Sequence, residues 1–207
     1  MKRNPMSPKK TSRPERARLV ALMLSLAALE APGTGMADGT VGIRNFAQLL
    51  PAMSAVTGVP QTNAQVQAYF KSAKSGLSLD GSSAGTTSAL LLAAAAIGGV
   101  VCQQSVSAES ALDKANPARV LFGGVDFTQD PSAAFLNVTV QIQVINAIAQ
   151  RAWGRAPTAT ETQILVDDLN DTAAVFSGSG SSSLALNQIL AFSLCAVFLS
   201  SPDFLRN

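Results

Sequence analysis

The sequence predicts an all-α fold, a single irregular bundle of about six helices around a central apolar helix at about residues 88–104. Apolar residues recur at helical spacing in segment after segment, and no segment alternates apolar and polar residues as a half-buried strand does. The 207 residues are 47% hydrophobic, which supplies a core, and only 14% charged. These observations together favour packed helices over a sheet.

Residues 1–37 are predicted to form a secretory signal peptide, which leaves residues 38–207 as one helical domain. Seven Lys and Arg residues precede an uninterrupted apolar run from Leu19 to Leu29, and Gly35 and Ala37 then supply the small residues of a cleavage site. The apolar run is shorter than a membrane span, so we expect none once the peptide is removed. An uncleaved amphipathic anchor is the alternative. We therefore expect an exported protein, periplasmic or extracellular.

The charge balance changes when this segment is set apart. The remaining chain holds eight basic and eleven acidic residues, a net charge of −3. A mildly acidic domain without a basic stripe binds nucleic acid poorly. We therefore expect no nucleic-acid partner.

Two amphipathic helices open the predicted domain. The first, in IRNFAQLLPAMSAVTGV, is apolar at helical spacing, ends at Gly58, and is expected to kink or split at Pro51. The second, in TNAQVQAYFKSAKSGL, begins with a capping box of Thr62 and Gln65 and ends at Gly76.

The central helix lies in SALLLAAAAIGGVVCQQ, which is apolar on every face from Ala89 to Cys102. Such a helix either spans a membrane or lies at the centre of a bundle. Its fourteen apolar residues are few for a span, which favours the bundle. Gly98 and Gly99 would let a second helix approach closely.

The middle of the chain is less regular. We expect a short helix at about 108–114 and a packed loop in ARVLFGGVDF, after which Asp130 and Pro131 open a long helix to about Trp153. The glycosylation sequon that begins at Asn137 would lie inside that apolar helix, which favours a chance match.

Two further helices complete the predicted bundle. Thr158 and Glu161 form a capping box at the start of the first. The second lies in SLALNQILAFSLCAVFLSS, and Ser201 and Pro202 then open a short terminal turn.

Cys102 and Cys195 are the only cysteines of the chain. An even count in an exported protein favours a disulfide between them. Each lies late in an apolar helical segment, so both are expected to be buried. Two buried free thiols are the alternative.

Few residues suggest catalysis. The sequence contains no histidine, which removes the commonest general base and most zinc and haem ligands. Asp167, Asp168 and Asp171 form the one acidic cluster, and a solvated helix face accounts for it better than a cation site. We therefore expect no metal, no cofactor and no enzymatic activity.

The segment RAWGRAPTATETQ holds the only tryptophan, Trp153, between Arg151 and Arg155. These three are the candidate partner-binding residues. The competing interpretation is a joint between two helices, in which a cation and a large aromatic residue end one helix and the Thr158 box begins the next. In that case we expect Arg155 to reach a carboxylate or helix-end carbonyls within the fold.

Two parts of the sequence resemble known groups. IRNFAQLLPAMSAVTGVPQTNAQVQAYF together with ARVLFGGVDF resembles a helical module of exported bacterial proteins, which is encoded beside, or fused to, large surface proteins with laminin-G domains. RAWGRAPTATE and LSSPDFL are similar to pieces of secreted, cytochrome-associated bacterial proteins, although this chain lacks the haem-binding motif often present near them. The resemblances cover most of Ile43–Asn207 and imply an exported helical domain, with no activity to carry over.

These observations favour a non-catalytic structural or interaction module that packs on a partner protein in an envelope or extracellular assembly. Two alternatives stay open. One is an accessory subunit or weak enzyme that uses the joint of Arg151, Trp153 and Arg155. The other is a carrier of an apolar ligand inside the bundle.

Overall fold

Seven helices and no strands make up the described part of the chain, so the predicted all-α fold is confirmed. The structure, a computed structural model, describes residues 44–76, 88–177 and 180–206. The predicted signal peptide lies outside these ranges. The helices are α1 (Phe46–Thr57), α2 (Ala64–Gly76), α3 (Ser88–Ser110), α4 (Val138–Ala152), α5 (Ala159–Ser177), α6 (Ser183–Ser200) and α7 (Pro202–Arg206).

α3 and α6 form an antiparallel pair at the centre of the bundle. Gly98 of α3 lies against Leu199 of α6, whereas Ser110, three turns later, accepts a hydrogen bond from Gln188. α1 and α2 pack on α3, and α4 and α5 pack on α6. The predicted central helix is confirmed, although it runs on to Ser110 and so replaces the short helix expected at about 108–114.

Gly98 allows the two central helices to approach closely. A Cβ atom at this position would lie 3.3 Å from Cβ of Leu199 and 3.6 Å from Cε of Met53. Glycine therefore removes the atom that would push α6 away. Gly99 has no such role, because a Cβ there would meet nothing within 4 Å.

The Cys102–Cys195 disulfide joins the same two helices. The Cα atoms are 5.7 Å apart, and 93 positions separate the cysteines in the chain. Both side chains are buried. The sulfur atoms are 2.03 Å apart, the distance of a disulfide bond, which supports the bridge over two free thiols.

The ends of α1 and α2 follow capping rules, with one cap different from the prediction. Gly58 ends α1 in the left-handed conformation at φ 73°, and Pro51 lies inside α1 without splitting it. α2 begins after Asn63, whose Oδ1 accepts hydrogen bonds from the first backbone N–H groups of the helix. The predicted cap at Thr62 is wrong, because asparagine is the stronger N-cap residue.

The segment before α4 is a series of turns, so α4 begins later than the sequence predicted. α4 begins after its N-cap Asn137, so the start predicted at Asp130 and Pro131 is wrong, whereas the end predicted near Trp153 is confirmed. Asp130 accepts hydrogen bonds from the backbone N–H and the hydroxyl of Ser132 instead. Such a local turn competes with helix formation.

Two buried charged side chains hold the loop between α3 and α4. The Glu109 carboxylate accepts hydrogen bonds from the backbone N–H groups of Leu121 and Phe122 at 2.9 to 3.3 Å. Arg119 donates to three backbone carbonyls of the same loop. The loop is thereby fixed to the end of the central helix without secondary structure of its own.

Candidate functional site

The candidate residues Arg151, Trp153 and Arg155 lie where α4 meets α5. Trp153 ends α4 and is only 8% exposed. Its indole ring packs against Phe198 of α6 with the ring centres 4.5 Å apart, and its Nε1 donates to Oγ of Ser201 at 2.7 Å. The tryptophan therefore closes the core at the end of α4.

Arg155 is bound by two carboxylates. Its guanidinium donates to the Glu161 oxygens at 2.7 and 2.9 Å and also to Asp203 in α7. The guanidinium carbon lies 5.0 Å from the centre of the Trp153 ring. The expectation that Arg155 reaches a carboxylate within the fold is confirmed. The ion pairs fasten the α4–α5 joint to the C-terminal helix.

The pKa values in this cluster reflect the pairing. The hydrogen bond with Glu161 is the largest cause that raises the pKa of Arg155. In return, the hydrogen bond from Arg155 lowers the pKa of Glu161 to about 2, against an opposing effect of burial. Glu161 also accepts from the backbone N–H of Thr158, which completes the predicted capping box.

The three candidate residues do not converge on one open surface. Arg151 is exposed on the last turn of α4. Trp153 and Arg155 are engaged by side chains of α5, α6 and the residues that follow α6. This geometry favours the joint as the role of the segment.

Replacing Glu161 with glutamine is expected to lower the free energy of unfolding by about 1 kcal/mol at neutral pH, the scale of a partly exposed ion pair. The pKa of Glu161 is depressed in the folded protein from 4.5 to about 2. The stabilisation from its charge is therefore fully present above pH 4.5 and is lost as the pH falls through about 2. Urea unfolding of both proteins across this range measures the effect.

The matched control is Asp167→Asn, because Asp167 is an exposed acid on the same helix whose one side-chain hydrogen bond within the described ranges comes from Gln163. It is expected to leave the pH dependence nearly unchanged. A stability difference between Glu161→Gln and wild type that stays constant down to pH 2 would be incompatible with the proposed pairing.

The acidic cluster of α5 forms no metal site in the ranges that the structure describes. No group of three or more His, Cys, Asp or Glu side chains there is placed to hold an ion. Burial, and to a smaller extent the charge of Asp171, raises the pKa of Asp168. The cluster is a helix face with one half-buried acid.

An open groove of about 620 Å³ lies between α3 and α6. One side of α3, from Ala95 to Ser107, supplies most of its lining, and α6 supplies Gln188 and Phe192. Because Ala95, Ala96 and Gly99 are small, the backbone of an occupant could come close to α3.

The helices beside the groove are almost free of charge. α6 contains no Asp, Glu, Lys or Arg, and the one charged residue of α3, Glu109, is buried. Leu92 extends the groove-lining side of α3 by one turn and is 72% exposed, and Phe192 is 36% exposed. No described residue covers this uncharged surface. We call it the α3–α6 face; it comprises Leu92, the groove that α3 lines from Ala95 to Ser107, and Phe192 of α6.

Both central helices are long and apolar enough to cross a membrane by length and composition. Their most apolar windows are only 50% and 44% buried. The predicted place of α3 at the centre of the bundle implied neighbours on every side, so the α3–α6 face was not predicted. Because α3 is apolar on every side, its sequence does not indicate which side the neighbouring helices cover and which side stays exposed.

No protein-family model, no curated protein and no solved structure matches the chain.

Proposed function

We propose that this protein is an exported, non-catalytic interaction module that docks one apolar helix of a partner protein on the α3–α6 face. The observation that carries the proposal is the uncharged groove between the two central helices. Its lining is uncharged and combines small and apolar residues with the polar Gln103, Ser107 and Gln188, and an exposed apolar side chain such as Leu92 beside such a groove supports a protein contact there. The partner would belong to a cell-envelope or extracellular assembly.

The shape of the groove supports a helix as the occupant. Its lining on α3 runs from Ala95 to Ser107, which at 1.5 Å per residue is about 18 Å, or about three helical turns. Side chains at i, i+3, i+4 and i+7 of a second helix fit such a groove. Leu92 and Phe192 would pack on the sides of that helix.

The chemistry of the face restricts the partner further. A charged side chain placed on it would lose its hydration without finding an opposite charge, because the exposed residues of both helices are uncharged. The partner helix therefore presents an uncharged face. The resemblance to modules encoded beside laminin-G surface proteins makes a large surface protein the first partner class to test.

The disulfide supports the proposed export. The bond between Cys102 and Cys195 favours an oxidising environment, where structural disulfides persist. This agrees with export through the predicted signal peptide.

A carrier of an apolar ligand is the second candidate, because a groove of about 620 Å³ has the volume of many small-molecule sites. The accessory-subunit hypothesis receives less support, because Trp153 and Arg155 are held by contacts within the fold.

Replacing Leu92 with glutamate is expected to release the protein from its assembly. The variant places a charge on the α3–α6 face at a residue that is 72% exposed, so the fold should tolerate it. Val175→Glu is the matched control, because Val175 is 67% exposed on α5, a helix that supplies no residue to the lining of the groove. Light scattering after size-exclusion chromatography of native extracts measures the mass of the particle that contains each protein.

Wild type and Val175→Glu are expected in the same large particle, and Leu92→Glu as a monomer with an unchanged unfolding transition. A monomeric wild type would sink the proposal. An apolar small molecule that co-purifies with wild type and is lost in Leu92→Glu would support the carrier instead. A purified wild type that dimerises by itself would make a second copy the occupant.

A further inference from the structure

Asn137 lies at an exposed corner where the turns before α4 end. It has extended backbone angles, φ −74° and ψ 118°, and is the N-cap of the helix. Its Oδ1 accepts hydrogen bonds from the backbone N–H groups of Thr139 and Val140 at 3.0 and 3.4 Å. Its Nδ2 makes no hydrogen bond with any residue in the described ranges. One end of the amide is thus fixed to the helix and the other end is open to solvent.

We propose that Asn137 is an acceptor for an N-linked glycan. The tripeptide Asn137-Val138-Thr139 is a complete sequon, and all three side chains are exposed. The reason to regard it as a chance match was its expected place inside a helix. The structure removes that objection, because the helix begins after Asn137 and its cap uses the carbonyl oxygen, not the nitrogen that would carry the sugar.

The transfer reaction needs a donor of a known chemical class. Nδ2 forms a bond to the anomeric carbon of an oligosaccharide linked to a polyprenyl pyrophosphate. The bond from that carbon to the pyrophosphate oxygen breaks, the lipid pyrophosphate leaves, and a base of the transferase takes the proton from Nδ2. No oxidant or reductant is involved. The donor and transferase act on exported chains, so the proposal rests on the export in the proposed function.

The surface beside Asn137 suits a bulky glycan. Val138 and Ile142 form an exposed apolar pair one turn apart, with 60% and 39% of their surfaces exposed. A sugar on Asn137 would cover this pair without displacing any packed side chain.

The chain holds one other sequon, which serves as an internal comparison. It begins at Asn170 in the middle of α5, and the Oδ1 of Asn170 accepts from Gln141. Asn170 is therefore surrounded by regular helix on both sides, unlike Asn137. We assign modification to Asn137 alone.

Mass spectrometry of the full-length protein, expressed with its own leader in its native host, tests the assignment. The exported and the cell-associated fractions are digested separately, and in each the peptide that contains Asn137 is analysed before and after enzymatic removal of N-glycans. We expect a sugar mass on that peptide in wild type, in Thr139→Ser and in Asn170→Gln. We expect its loss in Thr139→Ala, a variant that keeps the cap because the cap uses the backbone N–H of residue 139.

An unmodified Asn137 peptide in wild type overturns the assignment in whichever fraction the protein is found. The fraction itself reports on export independently, so failure of the glycan site and failure of export are distinguishable. A sugar that persists in Thr139→Ala would also overturn the sequon assignment.

Discussion

Replacing both Cys102 and Cys195 with alanine is expected to lower the free energy of unfolding by about 4–5 kcal/mol. The bond connects positions 93 residues apart, and opening so long a loop returns conformational entropy to the unfolded chain on this scale. Alanine is preferred to serine because both cysteines lie in the hydrophobic core, where a buried hydroxyl without a partner would add its own cost. Urea unfolding of the oxidised protein and the double variant measures the difference.

Reduction of the wild type provides the control for this prediction. Both sulfurs belong to buried side chains, so a reductant is expected to reach the bond only when the protein unfolds. Wild type that is unfolded with reductant should show the lower urea midpoint of the double variant. If the oxidised protein and the double variant share one midpoint, the bond does not contribute the stability that we assign to it.

Replacing Glu109 with alanine is the second large change, expected to lower the free energy of unfolding by about 2–6 kcal/mol. The carboxylate accepts hydrogen bonds from the backbone N–H groups of Leu121 and Phe122, both buried. Alanine would leave two buried donors without an acceptor, each of which costs about 1–3 kcal/mol. Urea unfolding measures the loss in the free energy of unfolding, and amide hydrogen exchange at Leu121 and Phe122 shows whether these two amides lose protection.

Two further variants test the stabilisation that we assign to the Glu109 carboxylate. Glu109→Gln keeps one acceptor oxygen and should cost about half as much as alanine. Asp113→Ala removes an exposed acid of the same loop and should change little. Unchanged protection of both amides in Glu109→Ala would show that the carboxylate does not hold the loop.

The helices that the sequence predicts best are those with strong local signals. Gly58 ends α1 and the box of Thr158 and Glu161 begins α5, because a left-handed glycine and a capping box act within one helical turn. The central position of α3 follows from its apolarity on every face. These features need no knowledge of distant residues.

The errors arise where two local signals compete. Asp130 and Pro131 form a good helix start, yet the carboxylate of Asp130 bonds to Ser132 in a turn, and Asn137 provides the cap that is used. The sequence pattern does not show that this helix start gives way to a cap seven residues later. The extra turn of α3 as far as Glu109 has a tertiary cause, because its carboxylate binds loop residues twelve and thirteen positions away.

In the candidate sites, too, contacts between residues close in sequence could be predicted and contacts between distant residues could not. The pairing of Arg155 with Glu161 is close in sequence, whereas Asp203, 48 residues away, could be identified only from the structure. The α3–α6 face could not be predicted because its helices lack a polar pattern. An all-apolar helix contains no polar side that marks solvent, so only the positions of its neighbours show that Leu92 is uncovered.

The most direct test of the interaction proposal is site-specific photocrosslinking in native cells from position 192, where a photoreactive phenylalanine derivative would replace Phe192. We expect a single cross-linked partner protein, attached through apolar residues that lie three or four positions apart on one of its helices, and we expect Leu92→Glu to suppress the cross-link. The same probe at Val175 is expected to give no such adduct. Absence of an adduct from position 192, or equal adducts from both positions, would contradict the assignment of the α3–α6 face as the docking surface.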